Sequence, residues 1–247
     1  MEVKACNIVP NLRNVLVSFE EWFPCFPFHS CRPSSGLDSA GVVAAGYLGT
    51  GFSALRRANV GPGTTVFIDG ISGTLGLGTC LSALALGATR VLGTGRNADL
   101  LEDVRRIAPD RIHVLPAGSA DLRSWTREHN NGEGVDVVID ALGPGAPAEA
   151  YLDALTTLRR GGIAVDVGGM MERPALDMIM VMTSQLTILG SLWFSTAEAQ
   201  DMADLAGTGQ LDLSVLEHQA FPLEKINEAL DNLTCRHRGF SNFVSIP

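Results

Sequence analysis

The chain has 247 residues, enough for one large domain or two small ones. Apolar residues make up 46% of it, which excludes a disordered chain, and the net charge of −9 argues against nucleic-acid or anionic-membrane partners. No apolar run is long enough for a membrane helix, and glutamates interrupt the N-terminal segment before a signal-peptide core forms. The five cysteines are widely spaced without a CxxC pair, so we expect reduced thiols and a cytoplasmic protein.

Residues 1–37 are predicted to form an N-terminal arm, rich in Trp, Phe and Pro and without a clear period. Two interpretations stay open: the arm packs on the main domain or on a second subunit, or it is a poorly ordered leader. Cys25, His29 and Cys31 lie close together in the arm. Three ligands without a fourth do not predict a metal site, and we expect no metal there.

The remainder, residues 38–247, alternates between helical patterns and short apolar runs. A first helix is predicted over 38–58, built largely of small residues. The predicted strands are 64–68, 89–93, 111–115, 135–139, 163–167 and 186–189. The predicted helices between and after them are 74–86, 98–107, 119–130, 146–158, 196–207 and 222–233, and a final apolar run spans 240–246.

The strand pattern predicts an α/β fold with a doubly wound parallel sheet. Runs that are apolar throughout are typical of strands buried on both faces. Strands that alternate with helices through short turns imply right-handed crossovers and parallel pairing. Six such strands predict a Rossmann-type, dinucleotide-binding domain with helices on both faces of the sheet.

A glycine-rich turn follows the first predicted strand directly. Gly70, Gly73 and Gly76 permit in turn a tight bend, a close approach of the backbone to a diphosphate, and close packing of helix on strand. The helix that begins there presents N–H groups and the positive end of its dipole. We therefore predict dinucleotide binding, against the alternative of a turn kept only for packing. The residues predicted to bind cofactor here are Gly70, Ser72, Gly73, Thr74, Leu75 and Gly76.

The end of the second predicted strand favours NADP(H) over NAD(H). An NAD site usually has a carboxylate at this point to bind the ribose 2′-hydroxyl. This chain has Gly95, Arg96 and Asn97 instead. An arginine can form charge-assisted hydrogen bonds to a 2′-phosphate, so Arg96 and Asn97 are predicted cofactor contacts. The alternatives are that Arg96 is solvated or stacks on adenine.

From about Ala40 to Pro247 the chain resembles the medium-chain dehydrogenase/reductase superfamily, which contains the zinc alcohol dehydrogenases and quinone oxidoreductases. The matching segments are GTGFSALRRANVGPGTTVFIDGISGTLG, GEGVDVVIDALG, LRRGGIAVDVGG, LTILGSLWFS and FPLEKINEALDNL. The resemblance implies that the nicotinamide lies near Thr50, and near the residues that follow three of the strands. Those predicted contacts are Ala141, Leu142, Gly143, Gly168, Gly169 and Ser191.

The resemblance also implies an N-terminal catalytic domain, of which residues 1–37 would be at most a remnant. No GHE motif and no cysteine-rich loop is present. In the zinc enzymes a ligand cysteine lies four residues before a Thr-Gly pair, and the matching position before Thr50 is Gly46. We therefore expect no zinc and a zinc-independent reaction.

Few side chains in the sequence suggest a catalytic group. Tyr47 lies beside the expected cleft and is a candidate proton donor, although a packed helix aromatic is the simpler interpretation. Ser72 and Asp69 are weaker candidates, and so is Ser195. The five histidines have no motif around them and are expected at the surface or hydrogen-bonded in the core.

Five of the seven methionines fall within residues 170–182, next to the expected cleft. Because Met is unbranched and polarizable, this stretch suits a small apolar substrate or a subunit contact, and core packing of one helix is the alternative. With the catalytic domain missing, either self-association or the Trp/Phe-rich arm would cover the cleft, and a homodimer is expected.

These observations favour an NADP(H)-dependent oxidoreductase acting on a small apolar carbonyl or enone. Two alternatives stay open. One is a non-redox enzyme, such as a cyclase, isomerase or lyase, built in the former cofactor cleft; it predicts an obstructed or empty glycine turn. The other is a truncated pseudoenzyme or binding subunit.

Overall fold

The computed structural model describes the backbone of residues 39–232 and 238–246, and the side chains of 48–232 and 239–243. The N-terminal arm, with Cys25, His29 and Cys31, therefore lies outside the described residues. The backbone of Gly46 and Tyr47 belongs to the first helix, but the side chain of Tyr47 also lies outside the described residues.

Helices and strands follow along the chain in the predicted order, apart from a helix at Met178–Thr183 and a strand at Glu217–Pro222 that the sequence analysis did not predict. The helices are α1 (Ser39–Arg57), α2 (Thr74–Ala85), α3 (Ala98–Ile107), α4 (Leu122–His129), α5 (Ala148–Leu155), α6 (Met178–Thr183), α7 (Thr196–Gly207) and α8 (Ile226–Asp231). The strands are β1 (Thr65–Asp69), β2 (Arg90–Gly95), β3 (Ile112–Pro116), β4 (Val135–Asp140), β5 (Leu158–Asp166), β6 (Thr187–Gly190), β7 (Glu217–Pro222) and β8 (Ser241–Ile246).

Six strands form one parallel sheet in the order β3-β2-β1-β4-β5-β6, which confirms the predicted doubly wound fold. The order reverses between β1 and β4, and this is the point at which an α/β sheet of this order binds its ligand. Within the described residues no helix has the length and apolarity that crossing a membrane requires.

The two faces of the sheet bury two separate apolar layers. On one face, Val66, Ile68 and Ile139 pack with residues of α1, α2, α3 and α7. On the other, Phe67 and Val138 pack with residues of α4 and α5. The two layers follow from the period of two in a strand, because successive side chains point to opposite faces.

Two predicted element boundaries are wrong. The helix predicted over 146–158 ends at Leu155, and β5 begins at Leu158, so Gly161 and Gly162 belong to a strand rather than to a helix terminus. The register between β4 and β5 shifts between Val135 and Val137, which accommodates the extra residues. The helix predicted over 222–233 is a 3₁₀ turn, Leu223–Lys225, followed by the short α8.

A second, two-stranded sheet pairs β7 with β8 in parallel. The sequence analysis identified β8 but missed β7. Its sequence, EHQAFP, is largely exposed and has neither an apolar run nor an alternating pattern. β7 is a strand only because it pairs with β8, about 24 residues later in the chain. Pairing between segments so far apart leaves no pattern in the local sequence.

Candidate cofactor site

The candidate site is built on the turn between β1 and α2, at the carboxyl edge of the sheet. Gly70 has a φ of +83°, a conformation that glycine adopts without strain. Its N–H donates to the carbonyl of Thr94 at 3.1 Å, and the N–H of Gly73 donates to the carbonyl of Gly70 at 3.0 Å. These bonds fold the turn tightly and aim the start of α2 at the point where the strand order reverses.

Helix α2 begins without a side-chain cap. Gly73 is its N-cap residue and offers no side-chain acceptor to the N–H groups of the first turn. A Cβ placed on Gly73 would meet only the carbonyl oxygen of Gly70, at 3.3 Å, whereas one placed on Gly76 would overlap that oxygen. The turn thus combines open space, uncapped donors and a positive helix dipole, which fits a diphosphate.

The end of β2 forms the next part of the site. A Cβ on Gly95 would lie 2.8 Å from the hydroxyl oxygen of Ser72, so that hydroxyl lies against the end of β2. Ser72 was predicted as both a catalytic and a cofactor residue, and both roles stay predictions. Arg96 is exposed. The side-chain oxygen of Asn97 caps α3, accepting from the N–H groups of Asp99 at 2.9 Å and Leu100 at 3.1 Å.

The loop after β4 is held between the glycine turn and the loop after β5. A Cβ on Gly70 would lie 3.0 Å from Cδ2 of Leu142, and one on Gly168 would overlap the carbonyl oxygen of Leu142. The N–H of Leu142 donates to a carboxyl oxygen of Asp140 at 3.0 Å. There is open space around Gly143 in the loop after β4 and around Gly169 in the loop after β5, so each loop has a packed side and an open side.

Three aspartates end three adjacent strands of the sheet. Asp69, Asp140 and Asp166 lie opposite one another in register, so their side chains share the face that packs on α5. Burial is the main effect that raises the pKa of Asp140, to about 6, and the neighbouring carboxylates of Asp166 and Asp69 add to it. The hydrogen bond from Leu142 acts in the opposite direction. The burial of Tyr151 on α5, together with the carboxylates of Asp166 and Asp140, raises the pKa of its hydroxyl to about 12.

Asp69 was a predicted catalytic residue. It is buried and accepts a hydrogen bond from the hydroxyl of Thr94, and its burial raises the pKa of the carboxyl above its ordinary value. Asp166 differs, because its Oδ1 is buried with no hydrogen-bond partner among the described residues. The sequence analysis overlooked Asp140 and Asp166, although each of the three aspartates ends a visible apolar run: VFID, VVID and AVD.

The loop after β6 lies at the carboxyl edge of the sheet, close to α1. The N–H of Ser191 donates to the carbonyl of Asp166 at 3.0 Å, while its hydroxyl is buried without a partner among the described residues. The ring of Phe194 lies so close to Gly49 that a Cβ there would overlap it. Thr50 follows Gly49 directly, so its backbone lies close to the ring of Phe194.

The remaining candidates have other roles or lie outside the description. Ser195 caps α7 in a capping box with Glu198, so its hydroxyl serves the helix terminus. His113 and His129 contact each other, with ring centroids 5.2 Å apart, at the β3 edge rather than near the glycine turn. His218 lies on β7, and the side chains of His29 and His237 are outside the described residues, as is that of Tyr47.

The methionine stretch is not the core of one helix. Met170 and Met180 contact the apolar layer on the α5 face, but Met171 is 78% exposed and Met178 and Met182 are also exposed. The exposed methionines and the exposed Ile179, Ile188 and Leu192 all lie between the end of β5 and the loop after β6, and we call this set the β6 edge patch. Strand β6 is the outer strand of the sheet, so its second edge has no partner strand among the described residues.

A family model described as "zinc-binding dehydrogenase" matches residues 74–208, more than half of the chain. The chain belongs to this zinc-binding dehydrogenase family. The match begins at the first residue of α2 and includes the ends of β2, β4, β5 and β6, which carry the site. Among residues whose side chains are described, no group of three or more His, Cys, Asp or Glu could hold a metal ion.

Curated relatives are longer proteins. The chain is 26% identical over 205 residues to an NAD-dependent alcohol dehydrogenase of Sulfurisphaera tokodaii, covering 83% of this chain and 56% of the relative. It is 31% identical over 173 residues to a probable D-xylulose reductase A of Neosartorya fischeri, covering 68% and 47%. The crystal structure of AibC superposes with a TM-score of 0.74 at 26% identity, over 87% of this chain and 59% of that one. The chain thus spans about half the length of the curated relatives it matches.

The family-matched segment contains α2 and the strand ends that carry the candidate site. The glycine turn directly precedes this segment, and its geometry fits the diphosphate of a dinucleotide.

Proposed function

We propose that this protein is a zinc-independent, NADP(H)-dependent oxidoreductase acting on a small apolar carbonyl or enone. The observation that carries the proposal is the open glycine turn: α2 begins at Gly73 without a side-chain cap, at the point where the strand order reverses. When bound, a nicotinamide cofactor supplies or accepts the hydride, so the chain itself needs only to bind, orient and stabilise charge.

The preference for NADP(H) rests on the end of β2. Gly95 and Arg96 occupy the point where an NAD site usually has a carboxylate, and Arg96 is exposed. The guanidinium can form bidentate bonds to a 2′-phosphate, and the hydroxyl of Ser72, next to Gly95, supplies a neutral contact on the same side.

The nicotinamide end is assigned to the loops after β4, β5 and β6. Leu142 covers Gly70, while Gly143 and Gly169 border open space that an aromatic ring can enter. Ser191 has a buried hydroxyl with no partner among the described residues, which makes it a candidate donor. Tyr47 stays a sequence-based candidate for donating the proton to the substrate oxygen.

Zinc independence rests on residue types. Gly46 stands where the resemblance implies a cysteine ligand. The side chains described offer no group of three or more His, Cys, Asp or Glu that could hold a metal ion. A zinc-independent reaction requires only hydrogen-bond donors at the substrate oxygen.

The β6 edge patch favours a homodimer. Its exposed methionines, isoleucines and Leu192 lie in or near β6, whose outer edge pairs with no described strand, and exposed edges of this kind are usually covered. Two copies related by a two-fold axis would pair their β6 edges antiparallel and bury the patch against itself. Leu192 also borders the nicotinamide loops, so part of the patch is available to an apolar substrate.

No observation favours the non-redox alternative. It predicts an obstructed glycine turn, yet an added Cβ at Gly73 would meet no described side chain within 4 Å.

The proposal is tested by calorimetric titration of the full chain with NADPH and NADH, followed by reaction of the bound NADPH with a panel of carbonyls and enones. We expect Arg96→Asp to weaken NADPH binding at least tenfold and NADH binding little, because only NADPH has the 2′-phosphate that the carboxylate repels. Arg123→Asp, which changes an exposed arginine on α4, is the matched control and leaves both affinities unchanged.

Three outcomes would contradict the proposal. Equal loss of NADPH and NADH affinity in Arg96→Asp removes the 2′-phosphate role. Binding of neither cofactor by the wild type removes the oxidoreductase assignment. Tight NADPH binding with no cofactor oxidation across the panel leaves a binding protein.

A further inference from the structure

Two histidines contact each other at the end of the sheet opposite the glycine turn. His113 is the second residue of β3, and His129 is the last residue of α4. Their ring centroids lie 5.2 Å apart. Because the glycine turn follows the carboxyl end of β1 and β3 runs parallel to that strand through β2, the amino end of β3 and the two histidines lie at the other edge of the sheet.

The two rings offer nitrogen atoms that no described residue engages. Nδ1 of His129 lies 2.8 Å from the carbonyl oxygen of Trp125. A carbonyl oxygen only accepts, so Nδ1 carries the proton and Nε2 has a lone pair. Neither this Nε2 nor either ring nitrogen of His113 has a hydrogen-bond partner among the described residues. A histidine that binds a metal ion typically donates its other ring N–H to a carbonyl or carboxylate in this way.

The separation of the rings fits one shared tetrahedral ion. Two imidazoles bound to one tetrahedral zinc have centroids about 5 Å apart, because each Zn–N bond is about 2.0 Å long and each ring nitrogen lies about 1 Å from its centroid. The observed separation is 5.2 Å, and the ring planes are inclined at 56° rather than stacked face to face. Both residues are half-buried, so an ion can reach them from solvent.

The charges near the pair permit a cation. His129 lies at the C-terminal end of α4, where the last carbonyls give the helix a partial negative charge. Arg90 on β2 is the cation next to His113, and its Nη1 donates to Oδ1 of Asn130 at 3.4 Å. Burial is the main effect that lowers the pKa of His113, and His129 and Arg90 add to it, so the imidazole is neutral at pH 7.

We propose that His113 and His129 together bind one divalent transition-metal ion of the class that imidazole prefers, with Zn²⁺ as its representative. Water completes the coordination, because the pair supplies two ligands. The ion would connect the outer strand β3 to the helix that follows it, so it stabilises this edge of the sheet. The site is separate from the candidate cofactor site and does not depend on the proposed function.

The test compares the full-length wild type, His113→Phe, His129→Gln and the double variant by calorimetric titration with Zn²⁺ alone. His113→Phe keeps an aromatic ring on β3 but removes both ring nitrogens. We expect each single variant to weaken one Zn²⁺ site at least tenfold, since even residues that only orient a metal ligand contribute that much. The double variant should lose no more than either single variant, because the two histidines share one ion.

The matched control is His218→Phe, which removes an exposed histidine on β7 and should bind Zn²⁺ as the wild type does. All other histidines and cysteines of the chain are the same in wild type, His113→Phe and His129→Gln, so a difference between these proteins counts this site alone. Equal Zn²⁺ binding by all three overturns the inference. So does a double variant that loses two ions, because the histidines would then bind separately.

A second measurement covers the case in which the variants do not fold. Co²⁺ is paramagnetic and binds the same nitrogen ligands as Zn²⁺. In ¹⁵N-labelled wild-type protein it should broaden the backbone amide resonances of His113 and His129 at lower concentration than that of His218. If the resonances of His113 and His129 stay sharp while Co²⁺ saturates the protein, the inference is overturned without any variant.

Discussion

At the residue scale, Asp140 couples the stability of the sheet to pH. Its carboxyl is 1% exposed and lies between two further carboxylates on adjacent strands. Burial and these neighbours hold its pKa at about 6 in the folded chain, above the unfolded value of about 4. The folded state therefore binds the proton more tightly than the unfolded state, which stabilises the fold below about pH 4, and this contribution is lost as the pH rises through 6.

The variant Asp140→Asn removes this dependence. The Asn oxygen still accepts from the N–H of Leu142, and no charge is buried. We expect the variant to be more stable than the wild type at pH 8, by about 1–3 kcal/mol, and nearly equal to it at pH 4. Urea unfolding across this pH range measures the difference. Asp110→Asn, at an exposed position, should leave the pH profile as it is, and a less stable Asp140→Asn at pH 8 would contradict the assignment.

At the scale of elements, the start of α3 depends on Asn97. Its side-chain oxygen accepts from two first-turn N–H groups, those of Asp99 and Leu100. The helix begins directly after the strand end that is proposed to bind the 2′-phosphate, so the same residue was predicted to contact cofactor. The cap and the cofactor contact make different demands, because capping uses the oxygen of the carboxamide and leaves its NH₂ group for a ligand.

Replacing Asn97 separates the two roles. Asn97→Ala should lower the free energy of unfolding by about 1 kcal/mol, whereas Asn97→Ser, which retains a capping oxygen, should restore most of it. Calorimetric titration then measures the affinity of both variants for NADPH. If both bind NADPH as the wild type does, Asn97 is a cap alone; if both lose affinity equally, its NH₂ group contacts the cofactor. Equal unfolding energies for Asn97→Ala and wild type would contradict the cap.

The sequence predicted the sheet because its signals are local. Strands buried on both faces have continuous apolar runs, and the glycine turn follows β1 without a gap, so the six strands and the position of the turn needed no tertiary information. Long-range packing decided the rest. The hydroxyl of Ser72 lies against Gly95, β7 exists only through its pairing with β8, and the backbone of Gly239 packs on Gly73 from the other end of the chain. None of these contacts leaves a pattern within a short window of sequence.

At the scale of the whole molecule, the oligomeric state tests whether two chains pair through the β6 edge patch. Ile188→Lys places a charge on the free edge of β6, where lysine is a common means of blocking strand pairing. We expect the wild type to have twice the chain mass by light scattering after gel filtration, and Ile188→Lys to have the mass of one chain. Leu223→Lys changes an equally apolar, exposed residue in the 3₁₀ turn before α8 and should stay dimeric. A monomeric wild type, or a dimeric Ile188→Lys, would contradict pairing through β6.

The close contact of α1 with α2 has a consequence for dissecting the protein. A Cβ on Gly51 would overlap the hydroxyl of Thr79, and one on Gly78 would overlap Leu48, so the two helices touch through glycines with no room for adjustment. Leu48, Phe52 and Leu55 are fully buried by this contact, although they precede the family-matched segment. An expression fragment trimmed to that segment would lose α1 and β1 and expose the apolar face of α2 to water, so the smallest autonomous unit must include α1.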